Sequence, residues 1–109
     1  MATNTRYFIL ANYTQKAIAG MVQAPSDRAA AGRKMCKAVG VKFVSLDLCR
    51  GAFDIVVVIE ADSFDKVLGV KMVVVASGAI SELHILEPID PSPALEHAGT
   101  AAKSYAPAG

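Results

Sequence analysis

Apolar and polar positions along the chain change period several times, and each change marks the edge of an element. From Tyr7 to Tyr13 aromatic and aliphatic residues run almost unbroken to a small polar end at Asn12, the pattern of a buried or half-buried strand. Thr14 can cap a helix that continues through Val22. Pro25 disfavours helical backbone at Ala24, so the helical region breaks around "QAPSD", and Ser26 or Asp27 can cap a second segment. There Ala29, Gly32, Met35, Cys36 and Val39 recur at helical spacing, Arg28, Arg33, Lys34 and Lys37 fall mostly elsewhere, and Gly40 closes the segment.

Val41 to Cys49 alternates, with Val44, Leu46 and Leu48 expected on one face and Phe43, Ser45, Asp47 and Cys49 on the other. A turn at 50–52 leads into Phe53 to Glu60, where Ile55, Val57 and Ile59 alternate with Asp54, Val56, Val58 and Glu60. "DSFDKVLGVKMVVVASG" mixes strand-favouring valines with a length, a cap at Asp62 or Ser63 and a closing Gly78 that suit a helix, and a helix is predicted. Its core face would hold Phe64, Val67, Leu68, Met72 and Val75, leaving Val70, Val73 and Val74 to meet another subunit. Ala79 to Glu87 reads as a fourth strand, with Leu83 and Ile85 on one side and Glu82, His84 and Leu86 on the other.

The order is βαββαβ, which predicts an α+β, ferredoxin-like domain over residues 1–88: an antiparallel four-stranded sheet with two helices on one face. Residues 89–109, rich in Pro, Ala and Gly, read as a C-terminal arm or disordered tail. The helix-free face would carry Phe8, Leu10, Phe43, Val56, Val58 and Leu86, too apolar to stay wet, so a second sheet is expected to stack on it in a dimeric α+β barrel. Composition strengthens this: 53% of the 109 residues are hydrophobic and only 19% charged, a high apolar share for a small monomer. The expected partner is therefore the chain itself, as a homodimer or larger homo-oligomer.

Charge narrows the functional classes. A net charge of +1 provides no field to gather nucleic acid or an acidic membrane. Arg28, Arg33, Lys34, Lys37 and Lys42 lack interleaved aromatics and read as a solvated helix face. The longest apolar run after the first strand, Val67 to Ala76, is broken by Lys71 and falls short of the roughly 20 residues that cross a bilayer. With no signal-like N-terminus, a cytoplasmic setting is expected. Cys36 and Cys49 have no zinc-type spacing and read as free thiols; a soft-metal site with Met35, Met21 or His84 has no specific pattern behind it. No metal and no cofactor are expected.

The stretches "NYTQKAI", "APSDR", "AVG", "RGAFDIVVVIEA" and "SGAISELHILEPI", in this order over about residues 6–88, resemble the GYD-domain family of small bacterial proteins. The resemblance implies a dimeric α+β barrel of ferredoxin-like subunits, and no established biochemical activity goes with it. The family's motif of Gly, any residue, Tyr, Asp is met by Gly51, Ala52, Phe53 and Asp54. Phe53 keeps the ring and loses the phenol hydroxyl. Gly51 is expected to supply a positive φ in the turn. Asp54 either accepts hydrogen bonds from backbone N–H groups of the hairpin turn or faces the inter-sheet space as a ligand acceptor or general base.

Asn12, Ser45, Asp47, Cys49, Asp54, Glu82 and His84 come from four strands and share one sheet face on this reading. They would form either a polar pocket in an apolar barrel or a polar rim at the dimer contact. Asn12, Ser45, Asp47, Asp54 and His84 are the candidate ligand-binding residues; His84, Asp54 and Asp47 are the catalytic candidates, His84 being the natural proton carrier. Two functions fit: a binding or assembly module with a small apolar or amphipathic molecule in the barrel, and a cofactor-free isomerase or monooxygenase-like enzyme with His84 as acid or base.

Overall fold

The computed structural model describes residues 3–109, so Met1 and Ala2 of the expected 1–88 unit lie outside the described residues. Its elements are β1 (Thr5–Tyr13), α1 (Gln15–Gln23), α2 (Arg28–Ala38), β2 (Lys42–Leu48), β3 (Ile55–Ala61), α3 (Phe64–Ala76), β4 (Ile80–Leu86) and α4 (Ser92–Ala102). The fold is α+β, with one four-stranded antiparallel sheet in the order β2-β3-β1-β4 and four helices.

Side-chain caps start three of the helices where the sequence offers them. The Thr14 hydroxyl accepts from Ala17 N–H, the Asp27 carboxylate from Ala30 N–H and the Ser63 hydroxyl from Asp65 N–H, each satisfying a helix donor that has no partner within the helix. The helical region breaks at Pro25, between α1 and α2.

One face of the sheet makes the core. Tyr7, Ile9 and Ala11 of β1 alternate inward with Ile55 and Ile59 of β3, and Cys36 of α2 and Val67 of α3 close over them. Ile59 and Val67 retain no exposure at all. The opposite face carries Phe8, Leu10, Val56 and Val58, all half-buried, and the exposed Leu86, and among the described residues α2 and α3 pack on the other side.

Two expectations need correction, and the C-terminal segment gains detail. Phe43 lies on the helix-covered face: a register shift between Phe43 and Ser45 inserts Val44 as an extra residue, so the alternation restarts out of phase. Phe43 packs there against α2, whose Arg33 guanidinium lies over the ring 5.1 Å from its centre, and so close to the helix that a Cβ on Gly32 would sit 2.9 Å from the ring. In α3 the buried residues are Val67 and Val70, with Val74 packed beside them, while Leu68, Met72 and Val75 face outward. A helix apolar all round does not encode which side turns inward. The 89–109 segment contains an eleven-residue helix, α4, with no buried residue. All its residues are exposed, and the chain as a whole is extended, 59 Å in its longest dimension with a radius of gyration of 18.1 Å against about 13 Å for a compact chain of this size.

Candidate functional site

The open sheet face is polar at both ends and apolar between them. At one end Arg6, Glu60 and Lys42 line up across β1, β3 and β2, with Arg6 Nη2 2.8 Å and Lys42 Nζ 3.9 Å from the Glu60 carboxylate. The Arg6 hydrogen bond, helped by the Lys42 charge, holds the Glu60 carboxyl below its ordinary value. Phe8, Leu10, Val56, Val58 and Leu86 fill the middle.

At the other end the chain builds a small polar cluster around Asn12. The Asn12 amide donates to Ala52 O at 3.3 Å and to Glu82 Oε2 at 3.4 Å, while its oxygen accepts from Asp54 N–H at 2.9 Å. Glu82 Oε1 lies 2.7 Å from His84 Nε2, a pair that is charged on both sides only when the imidazole is protonated. The hydrogen bond from His84, then that from Asn12, keeps the Glu82 carboxyl below the usual glutamate value. Phe53 meets the His84 ring edge-on, with ring centres 5.4 Å apart. The residue standing at the tyrosine position of the motif thus packs against the one imidazole on the sheet, offering it a ring edge and no hydroxyl.

Asp54 has a different job from either expected one. Its Oδ2 accepts from Tyr13 N–H at 2.9 Å, across the strand boundary, and its backbone is tied to Ala11 O, Asn12 Oδ1 and Cys49 N–H. Tyr13 N–H points toward β3, as the Ala11 carbonyl does, but lies beyond Ala11–Ile55, the last pair of the β1–β3 ladder, and the carboxylate takes the place of the missing acceptor. The carboxylate therefore neither caps its own turn nor stands free in the inter-sheet space. Gly51 supplies the expected positive φ, +142°, in the turn that presents it.

The rest of the predicted constellation is divided. Asn12, Glu82 and His84 lie together, and Asp54 joins them through its backbone N–H to Asn12 while its carboxylate goes to Tyr13. Ser45 and Asp47 share their face but lie on β2, the far edge strand: the row Asp47, Val56, Leu10, His84 crosses the whole sheet, three strand spacings or about 14 Å. Cys49 is exposed beyond the end of β2; its N–H donates to Asp54 O, and its thiol lies 3.7 Å from Asp47 O. The alternation along each strand shows which residues share a face, but the order of strands that separates Asp47 from His84 is a long-range property. Phe53 was legible only as a motif position; its contact with His84 depends on the β3–β1–β4 adjacency.

Among the described residues no helix is long and apolar enough to cross a membrane. The GYD domain matches residues 7–97, most of the chain and including the first half of α4, and the chain belongs to the GYD-domain family. No curated protein and no solved structure matches it.

Proposed function

We propose that this GYD-domain chain is a self-assembling, small-molecule-binding module: a ferredoxin-like subunit that pairs sheet on sheet into a dimeric α+β barrel. In this arrangement a small apolar or amphipathic ligand lies between the sheets beside the Asn12–Glu82–His84 cluster. One observation carries the reading: the open face has the anatomy of an interface, an apolar centre rimmed by charged and polar groups. Strand spacing and rise give that face a plane of about 19 by 24 Å, within the size range of functional patches on small proteins. The order β2-β3-β1-β4, with α2 and α3 on one face, supports the ferredoxin-like assignment. Two free cysteines accord with a reducing, cytoplasmic setting, which the reading takes to be bacterial.

Native mass spectrometry tests this. The wild type is expected as a homo-oligomer built from dimers, and Val58→Asp, which sets a charge in the centre of the apolar strip, is expected as a folded monomer by circular dichroism. A wild-type chain that stays monomeric at high concentration would overturn it.

The short His84–Glu82 pair favours a second reading, a cofactor-free isomerase or monooxygenase-like enzyme in which Glu82 orients the imidazole and His84 moves the proton. Asp54, already engaged by Tyr13 N–H, and Asp47, at the far edge, leave His84 as its acid or base. Turnover abolished by His84→Gln and retained in Asp47→Asn is its expected signature.

A further inference from the structure

The helix-covered side of the sheet holds a second, separate feature. Between α2 and α3 lies an open cavity of about 260 Å³, floored by Ile9, Ile55 and Val57 and walled by Met35 of α2 and Val74 of α3. Its lining includes two cations, Arg28 from α2 and Lys71 from α3, and no acidic side chain. Among the described residues neither cation takes part in an ion pair, as is also true of most Lys and Arg of the chain; what distinguishes these two is that they line an apolar cavity.

Both placements run against local stability. Arg28 opens α2, where the helix dipole favours an anion, and it is not needed as a cap because Asp27 already serves. Lys71 is half-buried within the valine-rich run of α3, where an apolar side chain would suit the surroundings better. Tyr13 also lines the cavity; burial pushes its phenol up and the Arg28 charge draws it back, so the hydroxyl stays protonated and able to donate.

We propose that this cavity is a binding site for an amphipathic monocarboxylate, its aliphatic or aryl body on the apolar floor and its carboxylate between Arg28 and Lys71. An anion of this class complements two unpaired cations from facing helices, and Arg28 can receive a carboxylate through two parallel N–H donors. Size sets the body. A cavity of about 150 Å³ takes the six carbons of benzene, so one of about 260 Å³ takes about ten heavy atoms, the size of octanoate. The site lies on the opposite side of the sheet from the proposed dimer contact, so the two stand or fall separately.

Titration of the full-length, isotope-labelled protein with octanoate and with octan-1-ol, followed by amide NMR, tests the proposal. Octanoate is expected to shift the amides of Ile9, Val57, Cys36 and Val74 and to bind at least about tenfold more tightly than the alcohol, an advantage that shrinks as salt is raised. The double variant Arg28→Gln/Lys71→Gln is expected to bring octanoate down to the level of octanol while leaving octanol binding unchanged, which also shows that the cavity is intact. Equal affinity for the two probes, no binding of either, or shifts confined to Phe8, Leu10, Val56 and Val58 would overturn it. So would the cavity amides shifting when protein concentration alone is raised, since the occupant would then be another copy of the chain.

Discussion

The two faces of the sheet draw on the same strands and nearly the same residue types, yet they differ in how much the fold loses when a side chain is removed. On the helix side Ile59 is fully enclosed and Ile9 and Ala11 nearly so. One position along β3, Val58 points the other way and stays half-buried, and Leu86 remains 54% exposed. Hydrophobicity alone therefore does not define the core of this chain; the core is where α2 and α3 lie. The remaining apolar face is only half-buried within one copy, its side chains held by cross-strand neighbours rather than enclosed.

Truncating two adjacent β3 residues should separate the faces most widely. Ile59→Ala is expected to cost about 3 kcal/mol in urea unfolding, from lost transfer energy and the cavity left behind. Val58→Ala should cost under about 1 kcal/mol at dilute concentration and show its effect as weaker self-association. Similar losses for the two in a dilute, monomeric sample would mean that the faces are not distinct.

Asp54 ranks next. Asp54→Ala leaves the Tyr13 N–H without its acceptor and is expected to destabilise by about 2 kcal/mol, with Asp54→Asn recovering part through its amide oxygen. Unchanged stability in the alanine variant would remove the structural role assigned to this carboxylate.

The smallest expected effect is acid sensitivity of the open face. Glu60 and Glu82 both titrate below the ordinary glutamate value of 4.5, Glu60 through Arg6 and Glu82 through His84. A carboxyl lowered in the folded state contributes stability that is complete above 4.5 and lost as pH falls through its folded value. Thermal melting should therefore weaken below that pH, by a modest amount because both groups are exposed, and Glu82→Gln should flatten part of the decline. Superimposable acid profiles for wild type and variant would assign the loss elsewhere.

What the sequence revealed was mostly local. Thr14, Asp27 and Ser63 announce their helices because a cap needs only a short polar side chain a few residues from its donor. The alternation of β1 and β3 is equally plain, and with it the apolar strip of the open face. Hidden features depended on partners distant in the chain. The Val44 bulge reverses Phe43 without any unusual residue to mark it, and Tyr13, the partner of Asp54, lies 41 residues away. The inward side of α3 was unreadable because valine occupies both sides, and the cavity between Arg28 and Lys71 exists only once two helices from different crossovers share one sheet face. In α4 the helix comes from alanine-rich composition after Pro93, with Asp90 accepting from Ser92 N–H at its start, and lacks the apolar period that would have drawn attention.

The central position of β1 has a consequence for how the chain is made. β1 is made before both of its neighbours, β3 and β4: Ile55 follows its partner Ala11 by 44 positions and Leu86 follows its partner Phe8 by 78. Until β3 is made, Tyr7, Phe8, Ile9 and Leu10 have no strand beside them, and one edge of β1 stays open until β4 follows. The strand made first is completed last.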